Sequence, residues 1–387
     1  MKTFLRKRLL PLIFATLSYN LLGCGSSNSS PPETDNTVRL SESYYSDLYA
    51  WNEQGGLAQT QLGRGLNLGN YLEAPVEGEW TGGRVLVEED LQRIADAGFK
   101  TVRIPVRWSA HSELAAPYTI DSTFMARVKE VVGWANNTQL KVILNVHHYT
   151  EMMDDPENRQ TAHILRLQGI WQQISEQFPL SEYPRYNLIF ELLNEPNGSI
   201  DYDDWNNIIA RLLTLIWDDM EAQQNNGSEQ RIVMIGTANW GHPDGLTKLV
   251  LPNSVDASNT IITVHYYEPF HFTHQGAEWV DGAADWIGTP WLGTASDQAP
   301  LIALFDRVTS WNAQPNRGFE LFMGEFGVYS RNSAPAQQKA WTAFIAREAE
   351  KRNISWAYWE YASGFGAYDA DTGQWRPQLI EALIPIQ

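Results

Sequence analysis

From residue 63 onward, short and nearly continuous apolar runs alternate with stretches whose apolar positions recur at helical spacing. The runs are "GRGLNLGN", "KTVRIPVRW", "LKVILNVHHY", "YNLIFELLNEP", "RIVMIGTANW", "NTIITVHYY", "FELFMGEFGVY" and "ISWAYWEYA". Runs of that length and composition suit parallel strands covered on both faces. The intervening stretches read as helices. "VEEDLQRIADAGF" sets Leu91, Ile94 and Ala95 on one face and stops at Gly98, and "DSTFMARVKEVVGWANN" opens on Asp121 as a cap. "DDWNNIIARLLTLIWDDMEAQ" and "APAQQKAWTAFIAREAEKRN" follow the same pattern. Trp51, Trp134, Trp217, Trp311 and Trp341 fall on helical positions and read as packing residues. Eight strands and their helices in about 350 residues predict an α/β fold, a single (β/α)8 TIM barrel spanning 38–387. A doubly wound open sheet is the alternative, but no Gly-rich phosphate loop follows the first strand.

Two segments fall outside this rhythm. The N-terminus carries Lys2, Arg6, Lys7 and Arg8, then the apolar stretch "LLPLIFATLSYNLLG", too short for a comfortable span. It closes on Leu21, Leu22, Gly23 and Cys24, which resembles the lipobox of bacterial lipoproteins. That resemblance implies a signal peptide over 1–23 and lipidation at Cys24. Gly25, where an Asp would signal retention, points to the outer membrane. Residues 24–37, Ser-, Asn- and Pro-rich, cannot bury enough surface to order themselves and read as a tether. The second exception is the interruption from Glu268 to about Ala299, rich in Trp, His, Phe and Gly. A long loop at a strand's C-terminal end serves a site more often than a scaffold.

Composition narrows the function. The chain has 387 residues and a formal net charge of -18, which argues against nucleic acid as a partner. Sixteen tryptophans supply flat apolar faces of the kind that sugar rings stack on. The single cysteine excludes an internal disulfide.

In a TIM barrel the chemistry lies at the C-terminal ends of the strands. Here those ends carry Asn67 and Asn70, Arg103 and Arg107, His147, His148 and Tyr149, Asn194 and Glu195, Trp240, His265 and Tyr267, Glu325, and Trp359 with Glu360. Glu195 and Glu325 stand on different strands and converge, and paired carboxyls across a scissile bond are what glycoside hydrolysis needs. Glu191, four residues before Glu195, reads as a structural acid inside the barrel, paired with a base. The neighbours His147 and His148 invite a metal. They should point to opposite faces, and no third ligand has matching spacing, so no metal and no cofactor are expected. Arg107 fits substrate binding and a rim salt bridge equally.

The set "TVRIP", "NVHHY", "LNEP", "VHYYEP", "GEFG" and "YWEY" resembles glycoside hydrolase family 5, with the acids on the fourth and seventh strands. The resemblance runs from about Gly63 to Trp359. It implies that Glu195 is the acid/base and Glu325 the nucleophile of a retaining mechanism. Glu325's charge would then raise the pKa of Glu195. Arg103 and Tyr267 would keep Glu325 anionic. Asn194 would donate to the sugar 2-hydroxyl, Trp359 would floor the subsite of the distorted sugar, and His147, His148, Trp240 and His265 would complete the cleft. "RGLNLGNYLEAP" and "HYYEPFHFTHQGAEW" resemble the branch containing endo-β-1,4-glucanases, some of which accept β-mannan. That implies sugar contacts for Asn70, Glu73 and Glu360, and for His274 and Trp279 from the long loop. The expected partner is a β-glucan polysaccharide, cellulose or mixed-linkage glucan, with β-mannan as the nearest rival. A glycan-binding lipoprotein on a decayed hydrolase scaffold is the alternative from another class. The chain is expected to act as a monomer, exported and touching membrane only through lipid on Cys24.

Overall fold

The computed structural model describes residues 36–46, 62–155, 160–221 and 229–385. The expected signal peptide, Cys24, most of the expected tether and Trp51 therefore lie outside the described residues. One compact unit spans Thr37–Gln387.

Eight parallel strands close in sequence order into a barrel. They are β1 Arg64–Asn67, β2 Thr101–Ile104, β3 Lys141–Asn145, β4 Leu188–Glu191, β5 Val233–Ile235, β6 Thr260–His265, β7 Glu320–Glu325 and β8 Ser355–Tyr358. The last strand pairs with the first, Gly65 opposite Ala357, so no edge is left open. Alternation along each strand divides the apolar residues into two sets. Ile143, Ile189, Met234, Ile261, Phe322 and Ala357 fill the barrel interior. Their neighbours Val142, Leu144, Leu188, Phe190, Val233 and Ile262 face the helices.

The predicted helices form with small shifts. Ser122–Asn137 starts at Asp121, whose carboxylate accepts from the Phe124 N–H at 2.8 Å. Glu88–Asp96 ends before Gly98, which takes a φ of 101°. Tyr202–Leu213 gives way to a π-helical stretch over Thr214–Glu221. Pro335–Glu350 packs between barrel and neighbours, with Trp341 fully buried. Trp217 and Trp311 are also buried, and Trp134 lies beneath the Arg127 guanidinium.

The strands are shorter than the apolar runs. β3 ends at Asn145 and β4 at Glu191, so His147, His148, Asn194 and Glu195 belong to the connections above the barrel. The long interruption is a loop over 268–294 with a helical turn at Phe270–Thr273 and a 3-10 turn at Ala283–Trp286. The next helix begins at Ala295.

Candidate active site

The floor of the site is organised by one buried guanidinium. Arg103, on β2, has no solvent exposure. Its Nε and Nη2 donate to the two Glu191 oxygens at 2.6 and 2.8 Å. Nη1 donates to Asn67 Oδ1 at 2.9 Å and Glu325 Oε1 at 2.7 Å, and Nη2 also donates to Asn194 Oδ1 at 2.7 Å. All five donors of the guanidinium are used. Burial works against its charge, but the Glu191 and Glu325 carboxylates reverse that and raise its pKa. Glu191 is thus the paired interior acid that its position predicted.

Two acids stand over this floor. The β4 connection turns upward at Glu195, which has a φ of 45°. Glu325 ends β7, and its second oxygen accepts from the Tyr267 hydroxyl at 3.0 Å. His265, the last residue of β6, lies between them. Its Nδ1 is 2.7 Å from Glu195 Oε1 and 3.7 Å from Glu325 Oε2. Glycine makes room for that imidazole: a β-carbon at Gly324 would sit 2.8 Å from His265 Nε2, and one at Gly241 3.0 Å from the ring. One oxygen of each acid and a His265 nitrogen all fall within 4.8 Å of one another.

Electrostatics separates the roles. Desolvation pushes Glu195 up to about 7, against Arg103 and with help from the Glu191 charge. The sequence expectation assigned this rise to Glu325. Burial is the larger cause, and Glu191 is the neighbouring charge that adds to it. Burial also pushes Glu325 up, with the Glu195 charge adding to it; His265, Arg103 and the Tyr267 hydroxyl oppose that rise. Burial holds Tyr267 well above its ordinary value, so it stays a donor. Burial lowers His265 and His147, and lowers His148 and His274 to about 4, so these rings are neutral near pH 7.

A cleft of about 1080 Å³ opens above the acids. Asn70, His147, His148, Asn194, Trp240, His265, Tyr267, His274, Trp279 and Trp359 all line it with Glu195 and Glu325. The Asn194 oxygen faces Arg103, which turns its amide nitrogen away from that contact. Trp359 stacks parallel to His147 at 5.7 Å, and His274 stacks on Phe270 at 4.0 Å. His147 and His148 were expected on opposite faces. Both line the cleft, with ring centres 4.4 Å apart, because strand alternation has ended and His148 adopts a φ of 49°.

Glu73 and Glu360 are not brought to the cleft wall, unlike the direct sugar contact expected of them. Both are fully buried. Glu73 accepts from the Asn70 N–H, and Glu360 accepts from the N–H groups of Ala362, Ser363 and Phe365. Their carboxyls are engaged in shaping the backbone beneath the wall. Arg107 donates to Thr150 and is not a lining residue. Sequence reading passed over Trp80, Tyr329 and Arg331, which do line the cleft. Trp80 had a usable signal: an isolated indole in the polar, Gly-flanked "EGEWTGG" has no core to join.

A closed (β/α)8 barrel carrying two facing carboxyls after β4 and on β7 has the layout of a glycoside hydrolase. Residues 65–364 match the cellulase family, glycosyl hydrolase family 5, and the chain belongs to that family. It is 33% identical over 330 residues to endoglucanase H of Acetivibrio thermocellus, which covers 84% of this chain and 33% of that relative. The chain thus spans about a third of the length of that curated relative. Among solved structures, Cel5A of Thermotoga maritima in complex with cellobiose is 42% identical with a TM-score of 0.75, covering 84% of this chain and 97% of that one. The same enzyme in complex with mannotriose gives 42% identity and a TM-score of 0.75, covering 84% and 98%.

Proposed function

We propose that this chain is an endo-β-1,4-glucanase that cleaves internal β-1,4 linkages with retention of configuration. The observation that carries the reading is the approach of the two acids. Retaining enzymes hold their carboxyls about 5–5.5 Å apart, and inverting enzymes roughly 6.5–9.5 Å apart to admit a water. Here one oxygen of each acid lies within 4.8 Å of the other, with the His265 nitrogen against both, a close approach that fits the shorter spacing.

The steps follow from the environments. Glu325, with Arg103 and Tyr267 favouring its anion, attacks the anomeric carbon. Glu195, protonated up to about pH 7, gives its proton to the leaving oxygen. It then takes a proton from the water that releases the sugar from Glu325. Asn194, oriented by Arg103, presents its amide nitrogen for the 2-hydroxyl. Trp359 supplies the apolar floor beneath the reacting ring.

β-Mannan is the second reading, favoured by the similarity to an enzyme captured with mannotriose as well as cellobiose. Product analysis on carboxymethyl-cellulose, lichenan, xyloglucan and mannan tests both. Internal cleavage of the glucans supports the main reading, and mannan cleavage alone replaces it. Location is a separate proposal: lipid on Cys24 anchors the exported enzyme, as "LLGC" at residues 21–24 suggests. Replacing Cys24 with Ser should move the enzyme out of the membrane fraction without loss of activity. Unchanged fractionation would remove the anchor from the account.

A further inference from the structure

The hydrolytic reading uses Glu195, His265 and Glu325 as a proton carrier, a spacer and a nucleophile. The same three side chains also form a compact set of metal donors. We propose that Glu195, His265 and Glu325 bind one late first-row divalent cation, such as Zn2+, and that the bound ion shuts the enzyme by occupying both acids. The inhibitory half rests on the hydrolase reading; the binding half stands without it.

Geometry carries the assignment. The three donor atoms lie within 4.8 Å of one another, with His265 Nδ1 2.7 Å from Glu195 Oε1 and 3.7 Å from Glu325 Oε2. Zn2+ takes imidazole nitrogen and carboxylate oxygen at about 2.0–2.2 Å, so donors around one ion sit roughly 3–4 Å apart. Glu195 retains 23% side-chain exposure toward the cleft, which leaves an entry path and an open fourth position. The set is one nitrogen with two oxygens, which suits Zn2+ or Cu2+ better than Mg2+.

The surroundings support a cation and limit its affinity. The chain carries a net charge of -18. Glu268 and Glu278 add negative charge to the cleft wall, and Arg331, the one guanidinium among the described lining residues, is tied to Glu278 at 2.6 Å. On the inner side, Arg103 holds Glu325 Oε1 and leaves Oε2 for the ion, from which the Tyr267 hydroxyl must withdraw. As the metal–oxygen and metal–nitrogen bonds form, the O–H or N–H bond of the proton shared by Glu195 and His265 breaks and that proton goes to solvent; no oxidation state changes.

Calorimetric titration of the full chain with zinc chloride at pH 7 tests this, beside His265→Gln and Glu325→Gln, with circular dichroism to confirm folding. One ion per chain is expected, with release of about one proton, and affinity about tenfold or more weaker in either variant. Zn2+ should inhibit hydrolysis of an aryl β-cellobioside competitively and reversibly by EDTA, while Mg2+ should not. Unchanged affinity in both variants, no binding up to about 1 mM, or equal inhibition by Mg2+ would overturn the assignment. Should a variant fail to fold, the wild type still decides: simultaneous, non-competing binding of Zn2+ and cellobiose overturns it. A chain that hydrolyses no β-glycan yet binds zinc in this pattern would refute the hydrolase reading alone.

Discussion

The floor and the rim of the cleft are built by opposite means. On the floor, Arg103 has no exposure, spends every donor, and holds Asn67, Glu191, Asn194 and Glu325 in one network. At the rim, Trp240 and Trp279 leave 57% and 61% of their surface exposed, and Trp279 rests edge-on against Tyr329. A saturated low-dielectric network fixes positions closely but tolerates no missing partner. An exposed aromatic tolerates change and offers area. On the proposed reading, bond cleavage belongs to the first region and grip on the polymer to the second.

The sharpest break of the floor is removal of an acid. Glu325→Ala should lower turnover by roughly five orders of magnitude, because no glycosyl-enzyme can form. Glu195→Ala should differ on an aryl β-cellobioside, whose phenolate leaves without protonation. Its glycosyl-enzyme should form and then hydrolyse slowly. Azide, needing no base, should rescue that step and yield the β-glycosyl azide, whereas azide in the space vacated by Glu325 should yield the α-product. The opposite pair of configurations would reverse the assigned roles.

The second break is the network's centre. Arg103→Met strands Glu191 without a partner and should cost about 3–5 kcal/mol of stability. The double variant Arg103→Met, Glu191→Leu replaces the ion pair with apolar groups and should recover most of that loss in thermal unfolding. Activity should stay lost, since Glu325 and Asn194 still lack their donor. A double variant as unstable as the single one would mean that the loss comes from Glu325, Asn67 and Asn194 rather than from a stranded Glu191.

How far the sequence alone revealed these regions follows from the same contrast. Strand order, both acids, Arg103 and the pairing of Glu191 were readable because apolar runs and strand-end polar groups are local signals. Reading failed where the backbone leaves its period. His148 takes a positive φ, so counting faces past Asn145 no longer says where its side chain points. It failed again for Glu73 and Glu360, because an acid that binds a neighbouring N–H looks, in sequence, like one that binds a sugar. Trp80, Tyr329 and Arg331 come from loops with no periodic pattern at all.

Glu73 lies between the two regions and gives the third prediction. It is fully buried under Asn70, one carboxyl oxygen lacks a partner, and burial pushes its pKa up from 4.5 to about 8. The folded chain keeps a proton that the unfolded chain releases, so wild-type stability falls as pH rises from about 4.5 to about 8. Glu73→Gln removes that titration. Its stability relative to wild type should therefore improve with pH across that window, by on the order of a few kcal/mol at the upper end. A difference that does not change with pH would mean that Glu73 is ionised in the folded state.

The smallest effect belongs to the rim. Trp279 sits edge-on to Tyr329 at 5.0 Å, and the Tyr329 hydroxyl and Arg331 both bind Glu278, so the loop after β6 is clasped to the loop after β7. The clasp holds an exposed indole over the cleft without touching Glu195, His265 or Glu325. Trp279→Ala removes stacking area alone, worth about 1 kcal/mol, or a factor of roughly five to ten in KM. That loss should appear on lichenan or carboxymethyl-cellulose. An aryl β-cellobioside that does not reach the rim should keep its kcat and its pH profile, because the floor is unchanged. If kcat on the short substrate fell in step with KM on the polymer, rim and floor would be coupled. The route would be the contact of Trp279 with Phe365, which also touches Tyr267, the residue that donates to Glu325.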